Sequence, residues 1–258
     1  MDVNQYNNSY NQSNEVDNES EYTWFDDKTE VIVFLKAQLI ESNTFKDEFE
    51  FVDSLKEAAA EGDPDMQDIY GNCLSVGFGC EENHREAMKW WTKAANQGSK
   101  TAQFTLGHKY LYGYFTRKDY KKAIFWLERS AYQGNNVAQG LLGLCYHRGF
   151  GVAKKYKTAV FWYSTALNSG NFDVEAELGY MYYLGLGVRK NYKKALELML
   201  KGAEGGNTDA MFYVGVCYAE GQGVQKNIDE AEKWWSRAAE QGNKLAIKFL
   251  NNKENKTR

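Results

Sequence analysis

A chain of 258 residues that is 43% hydrophobic and 15% aromatic, with 23 glycines against one proline, holds enough apolar matter for a real core and is neither proline-rich nor low-complexity. Its net charge of −4 is uneven: residues 1–60 carry 14 acidic and 4 basic side chains, and the remainder 21 and 27. A surplus of six positive charges over almost 200 residues is too thin to imply nucleic acid, although it would steer an acidic partner.

The N-terminus begins Met1-Asp2-Val3 without a basic stretch or an apolar run behind it. The most apolar stretch, 31–40, is broken by Lys36 and Gln38 and is too short to span a bilayer. The expectation is a cytoplasmic protein without membrane insertion. Residues 1–23, rich in Asn, Ser, Gln and acid, are expected to form a disordered tail, with its charge available to compete for basic surface. Residues 24–61 are expected to be a capping helix pair, with helices over 26–42 and 46–60.

From residue 62 onward the chain repeats itself every 36 residues. Gly62, Gly98, Gly134, Gly170, Gly206 and Gly242 keep that interval. So do Gly71, Gly107, Gly143, Gly179 and Gly215, and a third ladder from Gly77 to Gly221. A fourth, from Ala87 to Ala231, runs in the same register, with no insertion anywhere. Within the unit 134–170, Ala138, Leu142 and Tyr146 mark one face of a first helix, and Ala159, Trp162 and Ala166 one face of a second. Gly143 lets the neighbouring helix come close. Gly149 ends the first helix in a left-handed conformation, and Gly170 is followed at once by the N-cap residue Asn171. In the first unit the cap is Asp63, with Pro64 at the first helical position. One helix pair cannot bury its apolar face alone, so neighbours must stack. The predicted fold is therefore all-α, a right-handed superhelical solenoid of five helix-pair repeats over 62–251. A single capping helix over 244–251 closes it, and a tail over 252–258 follows. Cys73, Cys145 and Cys217 share one place in alternate repeats, which points to reduced, buried packing roles; Cys80 is off the pattern.

These residues resemble the Sel-one-like repeat family, relatives of the tetratricopeptide repeats. The match is carried by Ala138, Leu142-Gly143, Tyr146, Gly149, Gly151-Val152, Ala159 and Trp162, and by Ala238-Ala239-Glu240-Gln241-Gly242 at the end of the fifth unit. Departures fall at Gly79-Cys80, at Phe115-Thr116 where Gly-Val is usual, at Leu198 where Trp is usual, and at Lys155 where Asp or Asn should cap a helix. The resemblance implies an adaptor or scaffold that binds another protein and is not an enzyme. A narrower form is an immunity protein that neutralises a bacterial toxin. A cysteine-rich branch with penicillin-binding or β-lactamase activity supplies the rival, a hydrolase. Its cysteine pair would fall near Ala95 and Ala102, and neither is Cys.

If first helices line a concave face, as in tetratricopeptide repeats, the inward positions are Asp68, Asn72, Ser75 and Val76 in the first unit. In the later units the expected contact residues are Phe104, His108, Tyr112, Leu144, His147, Arg148, Tyr180, Tyr183 and Phe212, a mix of rings and Arg typical of binding hot spots. The competing reading is that these rings only pack one repeat on the next. A second candidate is a basic ridge of Arg117, Lys118, Lys121, Lys122, Lys154, Lys155, Arg189 and Lys190, at helix starts where cations oppose the macrodipole. It competes with an ordinary solvated face. The three histidines, His84, His108 and His147, stand in different units with no carboxylate or Cys at metal-ligand spacing, so no metal or cofactor is expected. The partner is a protein, and self-association through groove aromatics stays open.

Overall fold

The structure, a computed structural model, describes residues 28–42 and 44–257; the expected tail over 1–23 lies outside them. The described residues form α-helices and one short 3-10 turn, with no strand among them. Helices α1 (Lys28–Ser42) and α2 (Glu48–Glu61) precede the repeats. The five pairs are α3 (Pro64–Val76) with α4 (His84–Asn96), α5 (Lys100–Tyr112) with α6 (Tyr120–Tyr132), α7 (Asn136–Arg148) with α8 (Tyr156–Asn168), α9 (Glu175–Leu184) with α10 (Tyr192–Glu204), and α11 (Thr208–Glu220) with α12 (Ile228–Glu240). In the fourth pair the 3-10 turn Phe172–Val174 replaces the opening of the first helix. The last helix, α13, runs Lys244–Thr257, so the tail expected over 252–258 is helical as far as Thr257. Nothing after Gly242 is Gly or Pro, and lysines toward the C-terminal end suit the helix dipole.

Backbone contacts divide the chain into two compact units, at Ala138 and Gln139 inside α7. In the described part of the first, 28–138, the core gathers Leu35 from α1, Phe51 and Leu55 from α2, Tyr70 and Cys73 from α3, Trp91 from α4 and Leu106 from α5. In the second, 139–257, Tyr180, Met199, Met211, Phe212, Trp235 and Phe249 form one cluster, and Ala159, Tyr163, Leu178 and Met181 another.

The helix ends follow the sequence logic. Asp63 accepts hydrogen bonds from the Asp65 and Met66 amides, Ser99 from Ala102, and Asn207 and Asn243 from Ala210 and Ala246. Lys155 occupies the N-cap of α8 and makes no such bond. The glycine ladder at 71 to 215 marks where the two helices of a pair touch. A Cβ at Gly71 would stand 2.6 Å from Trp91 Nε1, and one at Gly215 2.5 Å from Trp235 Nε1. The indole of Trp235 then donates to the Phe212 carbonyl at 3.0 Å, fixing the crossing.

A second tight position joins successive repeats. A Cβ on Gly187, at φ +72°, would meet the Tyr156 backbone at 2.4 Å, and one on Gly223 the Tyr192 backbone at 2.5 Å. Phe115 holds the equivalent place at φ +63°, a left-handed conformation costly for a ring-bearing residue. Its ring is accommodated by stacking on His84, 3.8 Å between centroids, with Lys109 Nζ 4.6 Å from the centroid.

Polar contacts also cross between repeats. Gln67 Nε2 donates to the Ala59 carbonyl at 3.0 Å and Gln103 Nε2 to the Ala95 carbonyl at 3.0 Å. Within each repeat, Gln97 donates to Gln67 and Gln133 to Gln103, both at 2.8 Å. The buried Gln67 and Gln103 thus tie each helix pair to the helix before it through satisfied polar groups.

Candidate functional site

In residues 28–138 the first helices α3 and α5 and the preceding helix α1 each turn residues toward one common space. Between them is an open cleft of about 600 Å³, bounded at one end by Asn135 and Val137 at the start of α7. A pocket of this size, apolar with a few fixed polar groups, is the usual form of a binding site. Val31 and Phe34 of α1, Met66 and Ile69 of α3, and Phe104 of α5 supply apolar wall. Asp68, Asn72 and Ser75 of α3 and Thr101, Thr105 and His108 of α5 supply polar groups. Glu30 and Asp65 stand on the lining with exposed carboxylates. Lys109 also contributes, but it is buried and its ammonium faces the rings of Phe115 and Tyr114.

Asp68 is the anomalous group of this site. It is 6% exposed, its Oδ2 accepts a hydrogen bond from Thr101 Oγ1, and its Oδ1 is buried without a partner. Burial pushes its carboxyl up to about 6, and Asp65 adds to the rise while the Thr101 hydroxyl opposes it.

Of the nine residues expected to offer a groove contact, seven are buried: Phe104, His108, Leu144, His147, Tyr180, Tyr183 and Phe212. Tyr112 and Arg148 are half-buried. This corrects the picture of exposed groove rings. The rings interlock with their neighbours. Tyr213 stands 5.2 Å from Tyr180, 5.6 Å from Tyr183 and 5.5 Å from Phe212, and His147 lies 5.9 Å from Tyr156. Phe104 and His108 still present an edge to the cleft, where they join Asp68, Asn72 and Ser75. Burial, with Arg148 and Lys154 adding to it, holds the His147 imidazole down to about 4.

The ridge residues Arg117, Lys118, Lys121 and Lys122 are exposed in the first unit, and Lys154, Lys155, Arg189 and Lys190 in the second. Lys122 lies 3.6 Å from Asp119, and the Lys190 ammonium rests 5.5 Å from the Tyr192 ring. The competition by an acidic tail involves residues outside the described ones. Among the cleft residues missed by sequence reasoning are Glu30, Val31 and Phe34, because α1 lies outside the repeat, and Asp65, Met66, Ile69, Thr101 and Thr105, which flank the inward positions that periodicity selects.

Cys73, Cys80, Cys145 and Cys217 are free thiols, and burial pushes those of Cys145 and Cys217 up to about 12 and that of Cys73 higher still. Such thiols are poor nucleophiles. Ala95 and Ala102 are buried. Among the described residues no group of three or more His, Cys, Asp or Glu is placed to hold a metal ion, and no helix is long and apolar enough to cross a membrane.

The profile of the Sel1 repeat matches residues 64–99, 101–135, 136–171, 173–207 and 208–243, more than half of the chain. Among solved structures, c5321, a protective antigen present in uropathogenic Escherichia coli strains displaying an SLR fold, is 30% identical with a TM-score of 0.73. The match covers 86% of this chain and 48% of that one, so this chain spans about half of that protein's length. A Sel1 repeat protein from Oxalobacter formigenes is 30% identical with a TM-score of 0.70, covering 86% of each chain. Immunity protein Pa5087 from Pseudomonas aeruginosa is 18% identical with a TM-score of 0.45 over 83% of each chain, too distant to carry a functional argument. No curated protein matches the sequence.

Proposed function

Because the chain belongs to the Sel1 repeat family, we propose that it is a protein-docking scaffold that takes its partner in the cleft between α1, α3 and α5. The observation that carries this reading is the cleft itself. Helical repeats of this kind otherwise close their inward face with interlocked rings, as in residues 139–257, where Tyr180, Tyr183, Phe212 and Tyr213 fill the space. In the first repeat of residues 28–138 the corresponding places hold Asp68, Asn72 and Ser75, small or polar side chains on the lining of the open cleft. The half-exposed Phe34 on the rim adds an aromatic contact of the sort that anchors partners. Toxin neutralisation is the special case in which the docked partner is a toxic enzyme.

The experiment compares wild type with Thr105→Arg, a substitution at a half-buried lining position that fills the cleft. Proteins captured from native lysate are identified, purified and titrated calorimetrically against both forms, with helicity checked by circular dichroism. The expected result is a stoichiometric complex with wild type that weakens by about tenfold or more in the variant. Equal affinity for both would move docking away from the cleft, to the exposed lysines or the second unit. The partner's identity decides the toxin case.

A further inference from the structure

We propose that the cleft in residues 28–138 receives one basic side chain of the docked protein, Lys or Arg, with its cationic head paired to the Asp68 carboxylate and its stem along the walls formed by Met66, Ile69 and Phe104. This rests on the docking reading above and names the chemistry of what docks.

The argument starts from an unbalanced group. A buried carboxylate oxygen without a hydrogen bond is a costly arrangement, and the cost is greatest when the group is charged. At neutral pH a carboxyl with its acidity near 6 is largely ionised, so Asp68 holds a desolvated negative charge in the wall of the cleft. Thr101 satisfies only Oδ2. No cation stands among the groups that shift its acidity: the neighbouring charge is Asp65, of the same sign. Lys109, on the same lining, has its ammonium 4.6 Å from the Phe115 ring centroid. What Oδ1 lacks is therefore a donor that is also positive, since a neutral donor would satisfy the hydrogen bond and leave the charge.

Three further features select a basic side chain on a protein segment. Glu30 and Asp65 hold exposed carboxylates on the lining, so the approach to Asp68 favours a cation. Apolar walls suit the methylene stem that Lys and Arg bury while their heads stay solvated or paired. A volume of about 600 Å³ exceeds what one side chain fills, leaving room for the residues on either side of it. This chain's own residues 1–27 contain no Lys or Arg, so the head does not come from there.

The test is a selection of random peptides displayed on phage against the intact protein, with selection against Asp68→Asn in parallel. Asparagine keeps the shape of the side chain and removes its charge, and thermal denaturation checks that the variant folds. The expected binders carry one Lys or Arg among apolar residues. A synthetic copy of the leading peptide should bind Asp68→Asn about tenfold or more weakly, and its norleucine analogue should lose as much on wild type. Binders without a basic residue, or with equal affinity for Asp68→Asn, would overturn the proposal while leaving docking in place, with water at Oδ1. Binding of butylammonium as tight as that of the peptide would also overturn it, by making the ligand a free amine. Peptides that bind wild type and Thr105→Arg alike would remove the cleft as a docking site, and this inference with it.

Discussion

His147 shows how far packing changes a single side chain. The sequence places it among candidate contact residues; the structure leaves it 8% exposed, beside Tyr156, Tyr163 and Tyr180, with its imidazole held neutral. Above pH 6.5 neither the folded nor the unfolded chain protonates it. Between 6.5 and about 4 the unfolded chain takes up a proton that the folded one refuses, so stability is lost as the pH falls through that window. Two and a half units correspond to roughly 3 kcal/mol. Denaturant unfolding of wild type and His147→Gln at pH 7.5 and pH 4 should show wild type losing roughly that much more than the variant. A parallel loss in both would show that the ring is solvated. Asp68 acts in the opposite sense, protonating from about pH 6 in the folded chain and from 3.8 in the unfolded, and its contribution cancels because both proteins carry it. The free cysteines obey the same rule: apolar burial makes inert packing groups of Cys145 and Cys217.

At the scale of the element, most helix boundaries were written in the chain, because caps are local. Asp63, Ser99, Asn207 and Asn243 each bond an amide in the first turn, and glycines with positive φ close the helices. Lys155 is the exception, an exposed cation at the positive end of α8 with no cap bond. Lys155→Asp should therefore raise stability by about 0.5–2 kcal/mol, read as a higher denaturant midpoint at unchanged slope. A lower midpoint would mean that the lysine makes a contact worth more than a cap. Phe115 departs from the local rule too, and its conformation is intelligible only once His84 and Lys109 are seen around its ring. The final helix outran its expected end because the signal used to stop it was polarity, whereas helices stop at Gly, Pro or a lost hydrogen-bond partner.

For the whole molecule the governing fact is that each repeat touches chiefly its neighbours, so damage should stay local. Gly215→Ala puts a Cβ 2.5 Å from Trp235 Nε1, and overpacking of this kind costs about 1–3 kcal/mol. Hydrogen exchange on that variant should show protection lost in α11, α12 and their neighbours, with α3 to α6 keeping wild-type rates. Uniform loss over residues 28–257 would show one cooperative unit and contradict the division at Ala138 and Gln139.

Alone, the sequence determined the helix-pair repeat, its register, its family and nearly every cap, because a 36-residue period acts through local geometry and nearest neighbours. Tertiary structure decided which inward positions are surface. The side chains at 68, 72 and 75 line open space, while those at 180, 183 and 212 are packed against the ring of Tyr213. It also decided that α1, outside the repeat and without a strong pattern of its own, supplies one wall of the cleft that Asp68 lines.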